Sequence, residues 1–202
     1  MDRREQSEQA LLAAAAEVIA ERGMPRASFA EIARRAGTSR NLPAHHFGSK
    51  DSLIARVAER IQERVSAVTI AAIEARDQDV QTLPALEVVR TTVDLYLRLF
   101  EDPTPDDRAL IVMWGATFPA EAEFEGMLDA DRRAYTGWTE VICRGQDDGS
   151  IRADVDPAAC AVVLHGLMRG VAALLLTEAN TTDMTRVRAT VDGWISSSLE
   201  RR

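Results

Sequence analysis

The chain has 202 residues, of which 46% are hydrophobic, which permits a substantial core and argues against global disorder. Its net charge of -8 argues against indiscriminate nucleic-acid binding, and no unbroken run approaches the ~18 apolar residues of a membrane span. The N-terminal stretch MDRREQSEQ has no apolar stretch of the signal-peptide kind, so the expectation is a cytoplasmic protein with no membrane partner. Cys143 and Cys160 have neither metal-ligand nor redox spacing and are read as small buried residues; no metal and no cofactor is expected.

Strict apolar alternation is absent and helical spacing recurs from end to end, which predicts an all-α protein. Leu11, Leu12, Ala15, Val18 and Ile19 form one face of a first helix, which Gly23 ends and Pro25 cannot continue. Ser28-Phe29-Ala30-Glu31 is a capping-box pattern that opens a second helix with Phe29, Ile32 and Ala33 on its buried side. That helix stops near Ala36-Gly37, and a short third helix is expected from Thr38 or Ser39. Gly48 and Ser49 break the chain again, and Ser49 can cap a long fourth helix over about 49–76. Its core face is Leu53, Ile54, Val57, Ala58, Ile61, Val65 and Val68.

Further helices follow. Thr82-Leu83-Pro84 opens one that contains Leu86, Val89, Val93, Tyr96 and Phe100, and Asp102-Pro103-Thr104-Pro105 ends it. A segment around Leu110, Met113 and Trp114 precedes Pro119, and another helix runs from about Ala120 through Phe124 to Ile142. Asp147-Asp148-Gly149-Ser150 reads as a turn. Asp156-Pro157 is a helix start, with an Asp cap and Pro in the first turn. Thr181-Thr182-Asp183 caps the last helix.

The informative stretch is Ser28 to Lys50. Although the protein is acidic, residues 28–50 carry Arg34, Arg35, Arg40 and Lys50 against Glu31 alone, and DNA binding requires a local positive face rather than a basic protein. Two short helices meeting across Ala36-Gly37-Thr38 follow the pattern of a helix-turn-helix, whose second helix enters the major groove with its N-terminal end leading. Arg40 and Asn41 would lie at that end, where Arg can pair with guanine and Asn with adenine. Ser39 and the helix-start amides can hold a phosphate. By physics alone, the same corner also occurs as a plain structural feature of helical proteins.

Three pieces, "AAAAEVIAERG", "ASFAEIARRAGTSR" and "HHFGSKDSLIARV", resemble the DNA-binding domain of the tetracycline-repressor (TetR) family over Ala13–Val57, with the cap, the turn glycine, Phe47 and Ser49-Lys50-Asp51 in register. The resemblance implies two domains. An N-terminal helix-turn-helix domain of three helices would span 1–50, and a C-terminal helical effector-binding and dimerisation domain would span 51–202. It implies double-stranded operator DNA, a small-molecule effector and a second copy of the chain as partners. Its DNA-binding positions would be Ser28, Thr38, Ser39, Arg40, Asn41, Leu42, Ala44, His45, His46 and Lys50. One departure stands out: the family's Leu-Tyr pair near the end of the recognition helix is Pro43-Ala44 here.

The last two helices carry wide apolar stripes, which the resemblance assigns to a dimer interface of Val163, Leu164, Leu167, Val171, Leu174, Val187, Val191, Trp194 and Ile195. Ordinary intramolecular core is the alternative. The middle helices hold most of the aromatics. Although such a stripe is also what a core contains, its place in the effector domain suggests a pocket lined by Tyr96, Phe100, Trp114, Phe118, Trp138, His165 and Met168. Arg108 and Arg169 are the few charges there that could be buried, so the effector is expected to be largely apolar. The reading is a transcriptional repressor released by that effector. An effector-free DNA-binding protein is the rival, and a helical enzyme is disfavoured because no nucleophile–base pair, HExxH or phosphate loop is found.

Overall fold

In the computed structural model, residues 3–118, 125–178 and 183–201 are described. Among them are nine α-helices and no strand: α1 (Arg3–Arg22), α2 (Phe29–Arg35), α3 (Leu42–Phe47), α4 (Lys50–Glu74), α5 (Ala85–Leu99), α6 (Pro105–Ala116), α7 (Glu125–Asp147), α8 (Pro157–Glu178) and α9 (Met184–Leu199). A 3-10 turn over Met24–Arg26 accommodates Pro25, and one isolated bridge pairs Ile151 with Glu200.

The chain divides into two compact units, Met1–Gln62 with Pro103–Asp131, and Glu63–Asp102 with Arg132–Arg202. This differs from the expected division at residue 50, because α1 packs extensively on α6 as well as on α2, and so draws a later segment into the N-terminal unit. Two of the divisions fall inside helices, in α4 after Gln62 and in α7 after Asp131.

The core of the first unit follows from helical periodicity. Leu11, Leu12, Ala15, Val18 and Ile19 of α1 are buried, as are Ile32 and Ala33 of α2 and Leu53, Ile54, Val57, Ala58 and Ile61 of α4. Gly23 adopts φ 77°, a value that L side chains rarely take, and ends α1. Thr104 caps α6 in a reciprocal capping box with Asp107. Gly126, in the first turn of α7, is required by packing: a Cβ there would lie 2.6 Å from the Cβ of Ala55 on α4.

In the second unit α5 packs on α8 and α9. Pro84 occupies the cap position of α5 without a side-chain bond, and the first amides are satisfied from a distant turn. Ala85 N–H donates to Asp148 Oδ2 at 2.8 Å and Leu86 N–H to Ser150 Oγ at 3.2 Å. Asp156 caps α8 through Ala159 N–H (2.8 Å), and Asp183 caps α9 through Thr185 and Arg186 N–H. Thr181 and Thr182, expected to share that role, lie outside the described residues, as do Pro119, Ala120 and Phe124.

Expectations of burial are corrected at two places. Cys143, read as a small buried residue, is exposed, and Cys160 is half-buried. Val68 is exposed rather than on the core face, although Thr69 beside it is buried. By length and composition alone, α8 is long and apolar enough to cross a membrane over Pro157–Thr177, with a mean hydropathy of 1.9, as an apolar core helix also is. Its inward side carries His165 and Arg169, both buried, beside Leu164, Met168, Ala172 and Leu175.

Candidate DNA-binding site

Ser28 sits in extended conformation, and its Oγ accepts from Glu31 N–H at 3.3 Å, capping α2. The expected box is only half formed. Ser28 N–H instead donates to Arg26 O at 2.9 Å, which leaves the Glu31 carboxylate available to arginines. At the other end Gly37 takes φ 65°, Gly37 N–H donates to Arg34 O and Thr38 N–H to Ala33 O. This is the paired closing pattern of a helix followed by a left-handed residue, and it sets a sharp corner before α3.

The third helix begins at Leu42, later than Thr38 or Ser39. The reason is Pro43. It has no amide to donate, is accommodated in a first helical turn, and clashes with a helical residue further in. Leu42 N–H donates to Ser39 O and His45 N–H to Asn41 O, so Ser39–Asn41 form a turn that leads into α3. Arg40 and Asn41 are therefore exposed just before the helix rather than within it, while Pro43 is buried. Ser28, Ser39, Ala44 and His45 are also exposed. Leu42, His46 and Lys50 are partly covered, and Thr38 is held by its bond to Ala33. The His45 and His46 rings meet edge to face, 6.0 Å apart, with His46 against Phe47. Ser49 Oγ accepts from Ser52 N–H at 3.0 Å and caps α4, with Lys50 at its first position.

Electrostatics narrow the positive face. Arg34 donates to both oxygens of Glu31, and Arg22 to one of them. Arg35 donates to Glu17 and Glu21 of α1. The hydrogen bond from Arg34 holds the Glu31 carboxyl below its ordinary range, and that from Arg35 does the same for Glu21. Of the four basic residues expected to make the face, Arg34 and Arg35 are thus engaged within the unit. Among the described residues Arg40 and Lys50 have no ion pair. The sequence reading overlooked Glu17 and Glu21, although their spacing of four places them on one side of α1.

The expected effector residues divide between the units. In the first, Trp114 and Phe118 pack edge to face at 4.8 Å, and Phe118 is 64% exposed, unlike a pocket wall. In the second, Tyr96 and Phe100 are buried against each other at 5.3 Å, and Tyr135 lies 4.5 Å from His165. Met168 is buried and Trp138 half-buried. Burial, then the charge of Arg169, pushes His165 down to about 3, so the imidazole is neutral. Arg169 is buried and Arg108 exposed. A cavity of about 260 Å³ in this unit is lined by Phe100, Glu101, Leu175, Met184, Thr185 and Arg188, and includes one of the expected residues, Phe100.

The expected dimer stripe also splits. Val163, Leu174 and Trp194 are exposed, Leu174 by 64%, and Val162, not anticipated, joins them. Leu167, Val171 and Val187 are half-buried. Leu164, Val191 and Ile195 are core of their own unit and are removed from the candidate surface. Because α8 is apolar nearly all round, its pattern did not distinguish the two sides.

Residues 11–57 match the family model described as bacterial regulatory proteins of the tetR family. No curated protein matches the chain. A solved structure from Rhodococcus sp., assigned to the TetR family, is 20% identical with a TM-score of 0.81 over 97% of this chain and 100% of that one. A transcriptional regulator from Saccharomonospora viridis, solved with choline, is 22% identical with a TM-score of 0.73 over 98% and 100%. SmeT, the repressor of the Stenotrophomonas maltophilia multidrug efflux pump SmeDEF, is 19% identical with a TM-score of 0.74 over 96% and 90%. At these identities the likeness is one of fold. Residues 11–57 thus carry the tetR-family helix-turn-helix signature, and the chain along its length has the all-helical fold of the TetR-family structures it resembles.

Proposed function

We propose that this protein is a cytoplasmic homodimeric repressor that binds a pseudo-palindromic operator and leaves it when a small, largely apolar effector binds. The observation that carries the DNA half is the exposure of Arg40 and Asn41 on the turn entering α3, next to a capped α4 with Lys50 at its start. Arg40 and Asn41 read base edges; Lys50, Ser28, Ser39 and the amides near them position the phosphates. Thr38 holds the corner, and Leu42, Ala44, His45 and His46 present the rest of the α3 surface. The second copy docks on the exposed apolar side of α8 and α9, around Val163, Leu174 and Trp194.

The effector half rests on Tyr135 packed against neutral His165, on the buried Tyr96–Phe100 pair and Met168 of the same unit, on the cavity lined in part by Phe100, and on the fold neighbours, one of which was solved with choline. An effector shifts operator affinity only by the difference in its own affinity for the two conformations. A coupling of about 1–3 kcal/mol corresponds to roughly 5- to 150-fold weaker DNA binding. The test has two steps. Purified protein is used to select fragments from its own genomic DNA, and the fragments retained should share an inverted repeat. Apolar compounds are then screened by Trp fluorescence, and those that change emission should release the selected duplex. Absence of any selected sequence overturns the DNA reading. Selection without release by any bound compound favours an effector-free regulator.

A further inference from the structure

Residues 3–50 contain seven arginines and Lys50 against five glutamates. Three of those glutamates, Glu17, Glu21 and Glu31, hold Arg35, Arg34 and Arg22 at 2.6–3.1 Å. The pairs lie on the surface: Arg34 is 64% exposed beside a Glu31 three residues away in the same short helix. Exposed pairs of this kind add little to stability. Their effect on the field around the helix-turn-helix is direct. A guanidinium already facing a carboxylate must exchange that partner to reach a phosphate, and its share of counterion release is reduced. Sequence-independent binding scales with the number of phosphates neutralised, with a log–log salt slope of about -0.9 for each.

Resting on the DNA-binding reading above, we propose that Glu17, Glu21 and Glu31 neutralise α1 and α2 so that unselected DNA is held weakly and binding depends on contacts from Arg40, Asn41 and Lys50. The carboxylates are specificity determinants that touch no base. They withhold phosphate contacts on which an unregistered complex depends entirely, whereas the operator complex keeps its base contacts from Arg40 and Asn41; random DNA is therefore weakened more than the operator, and the ratio of operator to random DNA rises.

The test replaces the three by their neutral isosteres, Glu17→Gln, Glu21→Gln and Glu31→Gln, in the full chain. The probes are a labelled random-sequence duplex and the duplex recovered by genomic selection, titrated from roughly 50 to 200 mM salt. The expected result is about tenfold tighter binding of the random duplex at low salt, a log–log slope steeper by about one or more, and a smaller operator-to-random ratio. A control with the same change in net charge in the other unit, Glu74→Gln, Asp154→Asn and Glu200→Gln, should show a much smaller gain. If the triple variant loses its helical circular dichroism, Glu31→Gln alone is read. It should gain affinity for random DNA, and adding Arg34→Ala should remove that gain. A folded variant with unchanged random-DNA affinity and slope overturns the inference, as does a control that matches it. Failure of the wild-type protein to select any DNA would instead overturn the reading beneath it.

Discussion

Arg35, at the end of α2, reaches across to α1, where its Nη2 lies 2.7 Å from Oε2 of Glu21. Its Nη1 also binds Glu17, so one guanidinium joins two turns of α1 to the helix preceding the corner. Arg35→Ala should lower Tm, because both the fork and the covered stem are lost. Raising the salt should shrink the charge part of that deficit and leave the packing part. Thermal melts at low and high salt test this; a deficit independent of salt would show that the ion pairs contribute nothing.

Arg40 and Lys50 should separate base reading from phosphate binding. Arg40→Ala should cost about 1–3 kcal/mol on the preferred duplex and flatten preference at one base pair. Lys50→Ala should weaken all duplexes by a similar factor and reduce the salt slope by about 1. Binding-site selection with both variants checks the pair.

Pro43 sets where α3 begins. Pro43→Leu would allow the helix to extend back through Asn41, turning Arg40 and Asn41 from a turn onto a helical surface. The site profile should change while the helical content is kept or slightly raised. The same profile from wild type and variant would make Pro43 a tolerated first-turn residue without a role in recognition.

On α8, Leu164 and Leu174 should behave oppositely. Leu174→Arg places a charge on an exposed apolar surface, and should give a folded monomer by light scattering. Leu164→Ala removes a fully buried side chain, and should cost about 2–5 kcal/mol in stability. A Leu174→Arg protein that remains dimeric would move the interface elsewhere.

His165 makes the second unit acid-sensitive. Its folded value is about 3, and in the unfolded chain it is near the ordinary 6.5. Above pH 6.5 neither state binds the proton. Between 6.5 and about 3 only the unfolded chain does, so stability falls with decreasing pH, by at most about 1.4 kcal/mol per unit. His165→Met should flatten the decline in stability between pH 7 and pH 5. Equal declines in the two proteins would mean that the imidazole is protonated in place, beside Tyr135 and Arg169.

Interactions that span three or four residues were legible in the sequence. The stripe on α1, the Ser28 and Ser49 caps, Gly37 at the corner, and the Asp156-Pro157 start all depend on neighbours along one turn of chain, and so did the family resemblance of the helix-turn-helix. What lay beyond a local pattern was set by packing. The start of α5 is capped from Asp148 and Ser150, more than sixty residues away. Arg35 takes its carboxylates from another helix, which lowers the positive charge that residues 28–50 carry as a string. The wide apolar surface of α8 gives a periodicity argument no direction, so Leu164 and Leu174 look alike in sequence. Only the helices placed against α8 bury the first and leave the second exposed, because burial belongs to the contact between elements and not to either residue.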